Sequence, residues 1–285
     1  FAILLGSDNG GTTTPTDGSV TSDKLAYPFV VNEDGAAASD FRVESDSKTH
    51  MLFVDAGNNA ICVGTDTHDT GPLVVQTGNS HATAMTVQST GTTQLMLKDT
   101  DASSNDKYWG LQISGGDFNI LTMDDDKASN FVTPLTINQS GAMTKPLQPA
   151  FLVSPSDAAA QNNISSTTVI TFGDEIFDQN ADFSGYTFTA PVTGKYQLNA
   201  SLRLGGLDAD ANYHFFQIET SNRNYQWIID PRAFDADAVY WPAAWSALAD
   251  MDANDTAYIK YYQDGGANQL DIETGGSFFS GFLAC

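Results

Sequence analysis

Apolar and polar residues alternate along most of this chain, in short runs separated by residues that favour turns. A period of two places every second side chain on one face of a strand, so these runs predict half-buried β-strands. In the first half of the chain the alternating apolar residues are Phe41 and Val43, Met51 and Phe53, Ile61 and Val63, Leu73 and Val75, Met85 and Val87, Leu95 and Leu97, Trp109, Leu111 and Ile113, Phe118 and Ile120, and Leu135 and Ile137. Turns are predicted between them at 56–59, 90–91, 114–117 and 139–141.

Three regions differ in composition. Residues 1–22 are mostly Gly, Ser, Thr and Asp, which cannot bury enough apolar surface to fold alone, so we expect a flexible N-terminal arm. Residues 23–146 carry strands whose apolar faces are too thin for a self-contained sandwich, and they suit a shaft in which identical chains cover one another's faces. Pro146 and Pro149 mark a boundary. Residues 147–285 have longer, aromatic-rich strands and predict a jelly-roll knob.

The fold prediction is therefore all-β, with an extended β-shaft of identical chains, made trimeric by the resemblance described below, followed by a jelly-roll sandwich.

The net charge restricts the classes of partner that the protein can bind. The 285 residues include 12 Lys and Arg against 35 Asp and Glu, a net charge of −23. This balance argues against binding nucleic acid or an anionic membrane surface. No apolar run is long enough for a membrane helix. Because the chain starts at Phe1, we expect it to be part of a longer protein. Cys62 and Cys285 are too far apart in sequence to indicate a disulfide framework.

The C-terminal region resembles the globular C1q domain of complement, which is related in fold to tumour necrosis factor. The similar stretches are Phe-Thr-Ala-Pro at 188–191, Gly-Lys-Tyr at 194–196 and the closing strand at 276–283. The resemblance implies a homotrimer of jelly rolls that recognises ligands through surface loops. Aromatic residues occur at both odd and even positions of the predicted strands, so they point to both faces of the sheets. A single sandwich cannot bury all of them, which agrees with a homotrimer in which some face a neighbouring chain.

The N-terminal region is similar to segments of tailed-bacteriophage fibre proteins, especially marine ones. The similar segments are 18–25, 40–46, 50–57, 63–65 and 134–141. Together with a C1q-like tip they imply a fibre of the virion exterior, whose arm binds other virion proteins and whose knob binds a glycan or receptor on the host surface.

No catalytic constellation is present in the sequence, so we do not expect an enzyme. The four His residues are scattered, and neither a nucleophile elbow nor a phosphate-binding loop occurs. Asp208 and Asp210 have alternating spacing that offers oxygens to calcium, although turn capping is the commoner role of such residues. Because some C1q-like heads hold calcium near the trimer apex, the resemblance makes these two residues candidate ligands.

Aromatic residues mark the candidate receptor site. Flat rings beside polar groups suit sugar faces, and burial in the core or in a trimer contact is the alternative. The candidate ligand-binding residues are Trp227, Arg232, Asp235, Tyr240, Trp241 and Trp245. The functional hypothesis is a homotrimeric phage tail fibre that adheres to its host by multivalent contacts. The alternatives are a head fibre or decoration protein, a secreted bacterial C1q-like adhesin, and a polysaccharide-degrading spike.

Overall fold

The computed structural model describes residues 40–46, 48–67, 71–76, 85–156, 161–164 and 166–285. The predicted arm, residues 1–22, lies outside them. The chain divides into two compact units, one ending at Gln88 and one spanning Ser89–Cys285. The boundary expected at residue 146 stays a prediction. No helix among the described residues is long and apolar enough to cross a membrane.

The first unit contains a four-stranded sheet. Its strands are β1 (Phe41–Val43), β2 (Leu52–Asp55), β3 (Ala60–Val63) and β4 (Leu73–Val75). The first three are antiparallel, and β4 pairs with β3 in parallel. The predicted turn at 56–59 forms because the Asp55 carboxylate accepts hydrogen bonds from the main-chain N–H and the side chain of Asn58. Cys62 is a buried free thiol, and Cys285 is an exposed one.

The second unit begins with an antiparallel meander. Its strands are β5 (Thr93–Lys98), β6 (Tyr108–Ser114), β7 (Asp117–Met123), β8 (Val132–Ile137) and β9 (Met143–Thr144). They pair in sequence order. This is the simplest arrangement for short strands joined by tight turns, because each strand pairs only with the strands that precede and follow it in the chain.

A two-sheet jelly roll follows, as the sequence predicts. The β16 sheet has the order β13-β10-β21-β16-β19, with β11 also pairing with β21. Its strands are β10 (Ala150–Ser154), β11 (Gln161–Ile164), β13 (Asp174–Asp178), β16 (Gly194–Leu207), β19 (Ala238–Met251) and β21 (Leu270–Leu283). The β17 sheet has the order β14-β15-β20-β17-β18, with β12 also pairing with β20. Its strands are β12 (Thr168–Val169), β14 (Phe183–Ser184), β15 (Thr187–Thr189), β17 (Tyr213–Thr220), β18 (Asn224–Ile229) and β20 (Thr256–Asp264).

The core of the jelly roll lies between the two sheets and is built around phenylalanines. Phe151 packs against Phe183, Phe188 and Phe279, with ring centroids 4.7–5.2 Å apart. Such pairs add about 1 kcal/mol each beyond their buried area. The Tyr196 hydroxyl, buried beside this cluster, donates a 2.7 Å hydrogen bond to the Val192 carbonyl, which pairs the one polar atom of that ring. The all-β, jelly-roll prediction is confirmed.

Two details differ from the strand predictions. Met85 and Val87 alternate like the other pairs but lie outside any strand, because alternation alone does not supply the neighbouring strand that satisfies backbone groups. Conversely, β19 is a 14-residue strand through a segment rich in Ala and containing Pro242. Proline is tolerated there because β19 is the edge strand of its sheet, where one row of N–H groups needs no partner.

Candidate functional site

One face of the meander is apolar and exposed. Strand register places Leu95 beside Leu111 and Leu97 beside Trp109, and it continues the same face across β7, β8 and β9. We call this the apolar meander face; its apolar residues are Leu95, Leu97, Trp109, Leu111, Ile113, Phe118, Ile120, Leu135, Ile137 and Met143. None is fully buried, and Leu97 keeps 56% of its surface exposed. No charged residue interrupts the face.

The opposite face of the meander is partly covered, although Met96 on it remains 47% exposed. Leu121 and Met123 are buried there. The Gln94 side chain lies over Gly110, and Lys98 and Lys127 each lie 5.4 Å from the ring centre of Tyr108. Long polar side chains thus shield part of this face of the sheet, whereas every side chain of the apolar meander face is at least partly exposed among the described residues.

The β16 sheet carries a second apolar surface on its outer side. Register aligns Leu152 with Phe177, and it aligns Phe282 and Leu248 with opposite sides of Gln197. We call this the outer stripe; its apolar residues are Leu152, Phe177, Leu248, Phe278 and Phe282. The polar residues between them are uncharged Ser, Asn and Gln. Charged residues return at the two ends of the stripe, in the registers of Lys195 with Asp250 and Arg203 with Glu273.

The six predicted ligand residues all lie between β18 and β19 or on those strands. Trp227 is exposed on β18 and Asp235 is exposed in the connection to β19. Arg232 sits in a short 3₁₀ turn, where it pairs with Asp230 at 2.6 Å and lowers the pKa of that carboxyl to about 2. Trp245 is half-buried and packs against Phe216 with centroids 6.2 Å apart.

Tyr240 and Trp241 are adjacent on β19 but point to opposite sides of the sheet. Trp241 is on the core side and packs against Phe234, with centroids 4.9 Å apart. Tyr240 is on the outer side, 56% exposed, with the guanidinium of Arg203 lying 4.4 Å from its ring centre. The predicted residues therefore do not form one aromatic surface, and their role in binding stays a prediction.

A cleft of about 350 Å³ lies beside Tyr240 on the same outer side. Gly205 pairs with Tyr240 on β19 and with Asp271 on β21, so a row across three strands has no side chain at its middle position. We call this cleft the trough; its walls are Tyr240, Asp271 and Glu273, and Asp237 and Gln269 close one end.

Solved structures resemble this chain over about half its length. The globular domain of zebrafish complement 1qA protein is 20% identical, with a TM-score of 0.37, covering 48% of this chain and 98% of that one. A crystal structure of murine APRIL is 12% identical, with a TM-score of 0.36 and the same coverage of both chains. No protein-family model matches the chain, and no curated protein matches it.

Asp208, a predicted calcium ligand, closes loops in the structure. It is buried, and its two carboxylate oxygens accept hydrogen bonds from the main-chain N–H groups of Asp210 and Ala267. Gly266, at φ +71°, has no room for a Cβ because that atom would overlap the carboxylate. Within the described residues no group of three His, Cys, Asp or Glu side chains is placed to hold a metal ion. Calcium binding at Asp208 and Asp210 stays a prediction, and the geometry of Asp208 gives it no support.

The trough was missed at the sequence level. Its residues come from β16, the start of β19 and β21, and no two of those segments are neighbours in sequence. One signal was available: the pair Gly205 and Gly206 interrupts an otherwise alternating strand, and a glycine inside a strand often marks a close approach of another group.

Proposed function

We propose that this chain is a bacteriophage fibre protein, a homotrimer whose jelly-roll knob attaches the virion to the host surface. The observation that carries the proposal is the apolar meander face. A sheet whose one side is uncharged and apolar is not a stable water-facing surface, so it calls for a partner of the same character.

The partner is best supplied by copies of the same chain. The meander face carries ten apolar side chains on five strands, none of them fully buried, and a copy of the same chain brings an equally apolar face to cover them. A chain of net charge −23 repels its own copies, and an uncharged face is where that repulsion is least. The outer stripe supports the same arrangement, since it gives the knob a second uncharged contact surface.

Attachment to the host fits the exposed groups of the knob. Trp227 presents a large exposed ring on β18, the edge strand of the β17 sheet, away from the outer stripe. Three copies in one fibre, and several fibres on a virion, turn weak individual contacts into strong attachment. The sequence similarities to phage fibre segments favour a virion over a secreted adhesin.

Light scattering on size-exclusion fractions of the full chain tests the oligomer. We expect a mass near three times 30.5 kDa. A monomer at micromolar concentration would refute the trimer and with it the fibre.

Electron microscopy of virions that carry the chain, decorated with antibody fragments against it, tests the location. Label at the tips of tail fibres is the expected result. Label on the capsid would assign the chain to a head fibre, and unlabelled virions would exclude a structural role.

A further inference from the structure

The outer face of the β17 sheet carries three aromatic rings in contact with one another. Tyr213 and Phe215 are two residues apart on β17, with ring centroids 6.3 Å apart. Tyr262, on β20, lies 6.0 Å from the first ring and 4.9 Å from the second. All three rings are partly exposed, whereas the residues that alternate with them are buried. We call these three residues the aromatic cluster.

The aromatic cluster lies away from both surfaces that the trimer is proposed to use. The outer stripe belongs to the β16 sheet, and the two sheets of the jelly roll turn their outer faces to opposite sides. The apolar meander face is built from β5 to β9. Neither surface includes a residue of β17 or β20, so contact between copies through them leaves the aromatic cluster open to a ligand.

A carboxylate stands beside the aromatic cluster. Asp264 is directly opposite Tyr213 in the strand register, and side chains in such a pair start about 5 Å apart, so one ligand can reach both. The Asn212 side chain donates a 2.9 Å hydrogen bond to Oδ2 of Asp264, and the carboxylate makes no ion pair within the described part of the chain. Burial raises the pKa of Tyr213, and the charge of Asp264 raises it further.

The aromatic cluster has no cation of its own. A ring face attracts a cation through its quadrupole, and the chain uses this elsewhere: two lysines lie 5.4 Å from the ring centre of Tyr108, and Arg203 lies 4.4 Å from that of Tyr240. Among the described residues no Lys or Arg lies over a ring of the aromatic cluster. Lys260, on the same face of β20, pairs with Glu219 at 3.1 Å. Rings and an unpaired carboxylate therefore favour a cation supplied from outside, and they oppose an anion.

We propose that the aromatic cluster binds the ammonium group of an amino sugar in a host surface glycan. This deepens, and rests on, the proposed role in host attachment. The ammonium group packs against the rings and donates a charge-assisted hydrogen bond to Asp264, while the apolar face of the sugar contacts the remaining aromatic surface. Acetylation of the amine removes its charge and therefore the main attraction.

Glucosamine and N-acetylglucosamine make a matched pair of probes, since they differ in the charged amine, and glucose is the uncharged reference. Titration of the full chain at about pH 6, followed by ligand-observed NMR, should show millimolar binding of glucosamine. The other two sugars should bind at least about tenfold more weakly. Equal binding of glucosamine and N-acetylglucosamine would overturn the proposal. Binding of trilysine without binding of glucosamine would also overturn it, because the ligand would then be a basic peptide.

Three variants tie the binding to the aromatic cluster. Asp264→Asn removes the carboxylate charge and should weaken glucosamine binding about fivefold, and Phe215→Leu removes a ring but keeps an apolar side chain and should weaken it too. Asp252→Asn is the matched control: it removes the same charge from an exposed residue before the other end of β20, and it should leave the affinity unchanged. Equal weakening by Asp252→Asn and Asp264→Asn would show that net charge alone attracts the sugar, which would overturn the proposal. Circular dichroism and sedimentation velocity check that each variant keeps its fold and its oligomeric state.

The outcomes separate this proposal from the broader one. A monomeric chain, or virions without label, would end the fibre proposal while leaving glucosamine binding measurable. Trimeric Asp264→Asn chains that attach to host cells as well as the unchanged chain would end the amino-sugar proposal alone.

Discussion

At the scale of single residues, Asp178 and Asp182 show that burial and pairing decide what a carboxylate contributes. Asp178 accepts hydrogen bonds from the main-chain N–H groups of Asp182 and Phe183, at 3.0 and 2.7 Å. Asp182 has one buried oxygen, Oδ2, with no hydrogen-bond partner among the described residues. Burial raises the pKa of Asp182, and the charge of Asp178 raises it further.

Asp182→Asn should therefore stabilise the protein at pH 7. The folded-state pKa of Asp182 is above its unfolded value, so the ionised carboxylate is a cost at neutral pH that disappears as the pH falls through that folded-state pKa. We expect thermal unfolding to show a melting temperature about 2 °C higher for the variant at pH 7, with the difference closing toward pH 4. Asp178→Asn is the control and should lower the melting temperature, because a neutral amide caps two N–H groups less well. A destabilised Asp182→Asn variant would contradict this account.

At the scale of elements, strand β5 carries residues on both faces of the meander sheet, so substitutions in this one strand can test each face separately. Leu97 and Met96 are neighbours on β5, and their side chains point to opposite faces, 56% and 47% exposed. Their exposed fractions are alike, so what distinguishes them is the apolar surface around Leu97.

Leu97→Asp should break the trimer and Met96→Asp should not. A carboxylate buried in an apolar interface without a partner costs several kcal/mol, which corresponds to association at least about a hundredfold weaker. Sedimentation velocity on the full-length variants measures this, and circular dichroism confirms that the β-fold survives. Equal loss of the trimer in both variants would show that the contact does not depend on the apolar meander face.

At the scale of the whole molecule, charge opposes assembly and apolar area favours it. Each chain brings a net charge of −23, and both candidate contact surfaces are free of charged residues. Assembly should therefore respond to salt in the direction set by repulsion between whole chains, not by ion pairs at the contact.

Raising the salt concentration from about 0.01 M to about 0.1 M shortens the Debye length from about 30 Å to about 10 Å. We expect the concentration at which the trimer dissociates to fall about tenfold, equivalent to about 1.4 kcal/mol. Analytical ultracentrifugation across this range provides the measurement. Dissociation promoted by salt would instead mean that ion pairs hold the chains together.

Much of the secondary structure was predictable because it depends on local pattern. Alternation identified the positions of eight strands between Phe41 and Ile137, and the turn at 56–59 followed from residues that cap and reverse the chain. Where a strand needed a partner, as at Met85 and Val87, local pattern was not enough. The edge strand β19 was not predicted from the pattern, because its alanines and its proline are residues that are uncommon in strands.

The sequence by itself determined the all-β class, the acidic charge and the alternation that makes one face of the meander apolar, since each is a property of composition or of neighbouring residues. The tertiary structure alone decided that Asp208 closes loops against Gly266, that Trp245 faces the core, and that Gly205 leaves a gap between Tyr240 and Asp271. These relations depend on the register between strands distant in the chain. A shift of one residue in that register would turn each side chain to the other face of its sheet.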